Sequence, residues 1–311
     1  MKLLVTGGAG FIGSHLVEYL THKGSEVIVF DNLSSGNINN LRSIISTINI
    51  IENDIRDTDS VMLAMKEVDV VFHLAAQTTV SGSLIDPFLT HETNNTGTLN
   101  ILWAALKAGV SRVVISSSCS IYGDIHSPPL HESYLPAPKS PYAASKLVAE
   151  ALADSFYYSY GLETICLRYF NVYGERQSAT SDYAAVIPRF IDCYRQRQSP
   201  IVYGDGQQSR DFIHVSDIVK ANWLAASISS DILAQCRTFN IGSGQNVTIT
   251  QLLDIISSEA GYLLPTNFQS SRIGDIRVSR ADITLAKQHL GFSPAVDLKD
   301  GIKNLYNYES I

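Results

Sequence analysis

The chain has 311 residues, 45% hydrophobic and only 17% charged, against about 25% charged in an average globular protein. Such a chain suits one large α/β domain or two smaller ones, and wholesale disorder is excluded. Thirty acidic residues against 23 basic ones leave a net charge of −7, and the bases are scattered. A nucleic-acid partner, which needs clustered Lys and Arg, is therefore not expected.

In chain order, Met1 and Lys2 lead straight into a short β-rich run, Leu3–Thr6, so no leader segment is expected. Further runs follow at Glu26–Phe30, Asn49–Ile51, Val70–Leu74, Arg112–Ser116 and Thr164–Arg168. Between most of them lie helical spacings, such as Ile12, Leu16, Tyr19 and Leu20, or Leu147, Val148, Ala151 and Leu152. Apolar strands separated by amphipathic helices predict a doubly wound parallel sheet, a Rossmann fold with its ligand at the carboxyl strand ends. After Arg168 the alternation loosens, broken by turn signals at Tyr203-Gly204-Asp205-Gly206 and Gly242-Ser243-Gly244. Thr238–Ile241 is expected to return as an extra strand of the sheet. The division drawn is a nucleotide-binding domain of 1–168 plus about 212–241. A smaller C-terminal α/β substrate lobe takes about 169–211 and 242–311.

No apolar run reaches the roughly 18 residues of a membrane span. Cys119, Cys166, Cys193 and Cys236 lie far apart without a C-x-x-C pair, so free thiols and no metal are expected. A cytoplasmic protein is the reading.

The first strand opens into Gly7-Gly8-Ala9-Gly10-Phe11-Ile12-Gly13-Ser14 and then a helix. Glycines there permit a tight turn and a close backbone approach to a pyrophosphate on the helix N-terminus. Asp31 ends the second strand 18 residues past Gly13, close to the ~20 expected of a ribose-binding acid. Its carboxylate would accept from a ribose hydroxyl and repel a 2′-phosphate, which favours NAD over NADP.

Tyr142 and Lys146 stand four apart after Pro141, on one helical face. An adjacent ammonium is expected to bring the phenol toward general-base duty. Tyr19 and Lys23 share that spacing at the outer end of the first helix. What separates the two pairs is Ser116-Ser117-Ser118, at the end of the fifth strand, where a hydroxyl can bond the same substrate oxygen.

These motifs, with Arg168-Tyr169-Phe170-Asn171-Val172-Tyr173-Gly174, resemble an extended short-chain dehydrogenase/reductase of the NAD-dependent epimerase/dehydratase family, most like the UDP-hexose 4-epimerases. The resemblance implies that Gly7, Gly10, Phe11, Ile12 and Gly13 hold the pyrophosphate, and Asp31 and Asn32 the adenosine ribose. It places Asp54 and Ile55 at the adenine, with Leu74, Ala75 and Ala76 beneath the cofactor. Asn94, Ser116 and Tyr169 support the same site. Tyr142 would be the base, assisted by Ser118, and Lys146 would also hold the nicotinamide ribose. For a UDP-sugar, the implied contacts are Asn171, Val186, Tyr203, Arg210, Arg272 and Asp275.

By the same resemblance, the sugar 4-hydroxyl loses its proton to Tyr142 while C4 gives hydride to NAD⁺, and hydride returns to the other face of a transient 4-keto sugar. Relatives that go on to eliminate water or carbon dioxide carry an acid just after the Ser118 position. Cys119 and Ser120 stand there instead, which favours epimerisation. Ser279 matches the position that walls the sugar pocket. Being small, it is expected to admit UDP-N-acetylglucosamine alongside UDP-glucose. Arg277 leaves an acidic sugar such as UDP-glucuronate open.

Leu99, Ile101, Leu102, Trp103, Ala105 and Leu106 make a helix apolar almost all round, and the helix after Tyr142 is similarly broad. Such faces imply a homodimer across the helices near 94–108 and 142–160, or burial under the second lobe. Rival readings are a sugar-nucleotide dehydrogenase or reductase, and a non-catalytic NAD sensor that would need only the glycines and Asp31.

Overall fold

A computed structural model describes residues 1–124, 127–178, 185–271 and 277–308. Its central sheet uses β1 (Lys2–Thr6), β2 (Glu26–Asp31), β3 (Asn49–Glu52), β4 (Val70–His73), β5 (Arg112–Ser118) and β6 (Glu163–Tyr169). Four short strands follow outside it: β7 (Asn171–Tyr173), β8 (Ile201–Tyr203), β9 (Ser209–Arg210) and β10 (Phe212–His214). The chain then returns as β11 (Thr238–Ile241), so the seven-stranded order is β11-β6-β5-β4-β1-β2-β3. All its pairings are parallel, as the βαβ reading requires. The order reverses between β1 and β4, which opens a crevice at the carboxyl ends of those two strands.

Both faces of the sheet are buried. Leu3, Val5, Val29 and Phe72 join one core and Leu4, Ile28, Phe30 and Val71 the other, which explains why these strands read as continuous apolar runs. Each such side chain contributes about 1.5–3 kcal/mol on burial. In chain order the helices include α1 (Phe11–His22), α2 (Thr58–Ala64), α3 (Val80–Ile85), α4 (Pro87–His91) and α5 (Gly97–Ala108). Beyond them come α6 (Pro141–Tyr160), α7 (Val186–Arg195) and α8 (Val215–Ser227). The limits of α6 are written locally. Ser140 caps it by accepting from Ala143 N at 3.1 Å, Pro141 fits its first turn, and Gly161 stops it at φ +74°.

The second lobe has a separate core, with Tyr173, Ile187, Phe190, Leu252, Ile256 and Ile302 among its members. One stretch assigned to that lobe by sequence packs elsewhere. Ala286, Leu290 and Phe292 lie in the core shared by β11 and α1, because the Thr284–Leu290 helix closes the β11 edge of the sheet. No helix among the described residues is long and apolar enough to cross a membrane.

Candidate active site

The turn between β1 and α1 is tight for a reason its glycines supply. Gly7 adopts φ +69°, and a Cβ on it would come within 2.8 Å of Ala75 N. A Cβ on Gly13 would run into the Gly7 carbonyl. At the start of α1, with Phe11 and Ile12 in its first turn, Gly10 provides no side-chain cap and no acid competes for the first amides. A pyrophosphate fits that cradle.

Asp31 is buried, and its carboxylate accepts from Ala9 N and Leu33 N, each at 2.9 Å. It thereby braces the glycine turn, while its remaining lone pairs can take ribose hydroxyls. Asn32 Nδ2 donates to Asp54 Oδ2 at 2.8 Å, joining the ends of β2 and β3. Arg56, which sequence reasoning missed, forks onto the same carboxylate with two contacts of 2.9 Å and holds Asp54 down at about 2. Asp54 is thus committed to protein partners. Ile55 beside it is buried.

A buried relay supports the crevice. Thr6 Oγ1 accepts from Leu74 N and Ala75 N, so its proton goes to His73 Nδ1 at 2.8 Å. His73 Nε2 then donates to Thr98 Oγ1 at 2.9 Å, and Thr98 donates to the Asn94 carbonyl. Burial holds this histidine neutral, at about 3. Asn94 sits in a π-turn, accepts from Gln77 N at 2.7 Å and donates to Ser145 Oγ at 2.8 Å. The backbone after β4 is thereby fixed to α6 one residue before Lys146. Ala75, Ala76, Asn94, Ser116 and Lys146 line one crevice, with Leu74 preceding them at the end of β4.

Ser118 ends β5, and its side chain is hydrogen-bonded to the Tyr142 phenol. Lys146 Nζ donates to the Ser116 carbonyl at 2.9 Å and lies 5.9 Å from the Tyr142 ring centre. The three residues meet as predicted, but one expectation is corrected. Lys146 does not lower the phenol here; burial outweighs the Ser118 hydrogen bond and pushes Tyr142 up to about 12. The other Tyr–Lys pair is remote, with Tyr19 edge-on to Trp223 of α8. Tyr169 stands beside Ser118 in register, yet its hydroxyl is engaged by Asn222 at 2.8 and 3.0 Å.

In the second lobe, Asn171, Val186, Tyr203 and Arg210 converge on one cavity of about 260 Å³. Gln208 also lines it, and sequence reasoning overlooked it. Its Nε2 donates to the Tyr203 carbonyl at 2.6 Å, while its buried Oε1 has no partner. The available signal was its place two residues before Arg210, just ahead of β9. Ser279 is 4% exposed, its hydroxyl in hydrogen-bond contact with the Cys119 thiol. That brings the lobe against the end of β5. Arg277, by contrast, faces solvent and is paired with Asp205 at 2.7 and 2.9 Å. In this arrangement its guanidinium is engaged at the surface. Arg272 and Asp275 lie outside the described residues. No cluster of metal-ligating side chains occurs among the described residues.

A phenol and an ammonium on one helix, beside a hydroxyl at the carboxyl end of a sheet strand, mark an oxidoreduction centre of the short-chain dehydrogenase/reductase class. The family model described as GDP-mannose 4,6 dehydratase matches residues 4–305, and the chain belongs to this NAD-dependent epimerase/dehydratase family. It is 40% identical to a putative UDP-glucose 4-epimerase of Methanocaldococcus jannaschii, over 98% of this chain and 97% of the relative. A UDP-N-acetylglucosamine 4-epimerase from Methanobrevibacter ruminantium, solved with UDP-N-acetylmuramic acid, superposes with TM-score 0.93 at 39% identity. That match covers 98% of this chain and 96% of the other. A Thermus thermophilus UDP-glucose 4-epimerase in complex with NAD gives TM-score 0.88 at 35% identity, covering 99% and 98%.

Proposed function

We propose that the protein is an NAD-dependent 4-epimerase of UDP-hexoses, acting on UDP-glucose and UDP-galactose and on their N-acetylated counterparts. The observation that carries this reading is the union of Ser118, Tyr142 and Lys146 with a nucleotide-sized cavity. The buried contact between Ser279 and Cys119 lies where the second lobe meets the catalytic strand.

When bound, NAD supplies the acceptor and later the donor of the C4 hydride, and its positive ring lowers the proton affinity of the nearby phenol. In its phenolate form Tyr142 would take the proton of the sugar 4-hydroxyl on its phenolic oxygen, and the resulting phenol would return that proton to O4 once the keto sugar has been reduced on its other face. Ser118 holds that same substrate oxygen. Lys146, its ammonium drawn down to about 8 by burial, remains mainly protonated at neutral pH and can hold a ribose hydroxyl. Arg210 and Asn171 grip the diphosphate side, and the unpaired Gln208 Oε1 accepts from the uracil N3–H. With the nucleotide held, the keto sugar can turn over within the pocket. Cys119 and Ser120, neither an acid, leave no group to drive elimination. The solvent-facing Arg277 removes the argument for an acidic sugar.

A second copy of the chain is the proposed partner. Leu99, Trp103 and Val148 stay exposed on α5 and α6, uncovered by the second lobe, and Leu84 and Phe88 extend the apolar patch. All four cysteines are unpaired, which suits a cytoplasmic enzyme.

Tyr142→Phe tests the reading against a non-catalytic sensor. It is expected to keep bound NAD and lose about 10²–10⁴-fold in kcat. Unchanged turnover would refute the assignment of Tyr142.

A further inference from the structure

Lys146 has to carry a proton in a place that resists charge. It is 7% exposed, and its Nζ donates to Ser116 O at 2.9 Å, with Ser116 Oγ 3.4 Å away, both neutral groups. Its ionisable surroundings come from three elements. β4 contributes His73, neutral through burial. β6 contributes the Cys166 thiol, which burial drives far up and keeps neutral, while Arg168 on the same strand meets Glu150. α6 contributes Tyr142, protonated in this structure, and Glu150, one turn beyond Lys146 on the same face. Among these groups Glu150 is the one carboxyl side chain.

Nothing about Glu150 resembles a solvated surface charge. It is 7% exposed and takes Arg168 bidentately, from Nε at 2.9 Å and Nη2 at 2.7 Å. Ser117 Oγ donates a third hydrogen bond at 2.5 Å. Arg168 is pinned in turn, for its Nη1 donates to Tyr122 OH at 2.8 Å and to the Glu132 carbonyl at 3.2 Å. Tyr122 passes its own proton to Asn240 Oδ1 at 2.7 Å. A buried ion pair is rarely a better stabiliser than an apolar pair of the same shape, so stability alone does not explain its place here.

We propose that Glu150 and Arg168 are positioning residues for the Tyr142–Lys146 couple. Glu150 is the counter-charge that holds Lys146 in its ammonium form, and Arg168 is the clamp that fixes this charge one turn below. The proposal rests on the catalytic reading above. It predicts opposite electrostatic effects from the two single variants, which a merely structural pair would not give.

The test follows kcat against pH for the NAD-bound wild type, Glu150→Gln, Arg168→Gln and the double variant. In parallel, the Lys146 13Cε resonance is titrated, assigned through its loss in Lys146→Arg. Glu150→Gln is expected to move the Lys146 titration and the alkaline limb of kcat down by about one pH unit. Arg168→Gln should move both upward, and the double variant should fall between Glu150→Gln and wild type. Arg168→Lys, which keeps the charge, should restore the wild-type limb, with KM little changed throughout. Coincident titrations in all folded variants, with only lowered Tm, would overturn the proposal. Should a single variant fail to fold, the double variant decides, because its Lys146 titration must still fall below wild type. If the wild type epimerises no UDP-sugar, the catalytic reading fails, while the Lys146 titration still judges the pair.

Discussion

Ser118, Tyr142 and Lys146 hang from one strand end and the first turns of one helix, whereas Asn171, Val186, Tyr203 and Arg210 reach their cavity from β7, α7, β8 and β9. Over the sheet, parallel register fixes each group. Ser116, Ser117 and Ser118 pair with Leu167, Arg168 and Tyr169, and α6 is capped and stopped by its own residues. In the second lobe the cavity walls depend on small sheets of two strands and on turns such as 203–206. The chemistry therefore resides on the part of the fold that tolerates least adjustment. On the proposed reading, the nucleotide is held by the part that can vary without disturbing it.

Changes at the glycine turn should break the rigid half most completely. Gly13→Ala would drive α1 away from the Gly7 carbonyl. The expected result is loss of retained NAD and of all turnover, read from the spectrum of the purified protein. If the variant keeps its NAD, the turn is less constrained than its geometry shows. In the second lobe, Arg210→Ala should raise KM for a UDP-sugar by about 10–100-fold, the worth of a charged hydrogen bond to phosphate. Its kcat should move far less; a drop confined to kcat would place Arg210 with the chemistry instead.

Much of the rigid half was legible in the sequence because its signals are periodic. Alternating strands and helices, a glycine turn and an acid at the end of β2 sit at spacings that backbone geometry imposes. The relay through Thr6, His73, Thr98 and Asn94 was not, since it joins residues from four elements, β1, β4, the π-turn and α5, whose contact depends on sheet order. Glu150 reads in sequence as an ordinary helix charge; only the fold brings Arg168 and Ser117 to it. Ala286, Leu290 and Phe292 misled for the same reason, because an element late in the chain returns to cover β11. The phenol of Tyr142 was expected low and lies high, as spacing reports a neighbouring ammonium but not the burial that opposes it.

Smaller effects sharpen the comparison at the sugar itself. Ser279→Tyr should fill the space beside Cys119 and cut kcat/KM for UDP-N-acetylglucosamine by about tenfold or more, leaving UDP-glucose nearly unchanged. Parallel assays on both sugars check it, and equal losses would mean that Ser279 does not sort them. Arg277→Ala should change neither substrate by more than about twofold, because its exposed pair with Asp205 is screened by solvent. A large loss with any UDP-sugar would return Arg277 to the pocket.

The most direct measurement is NMR of UDP-N-acetylglucosamine and of UDP-glucose, in separate tubes, with purified protein and no added NAD. Appearance of the C4 epimer, with no net NADH, is the predicted result, and the faster tube settles what Ser279 admits. If neither sugar changes, with or without added NAD, the assignment as a UDP-hexose 4-epimerase is contradicted.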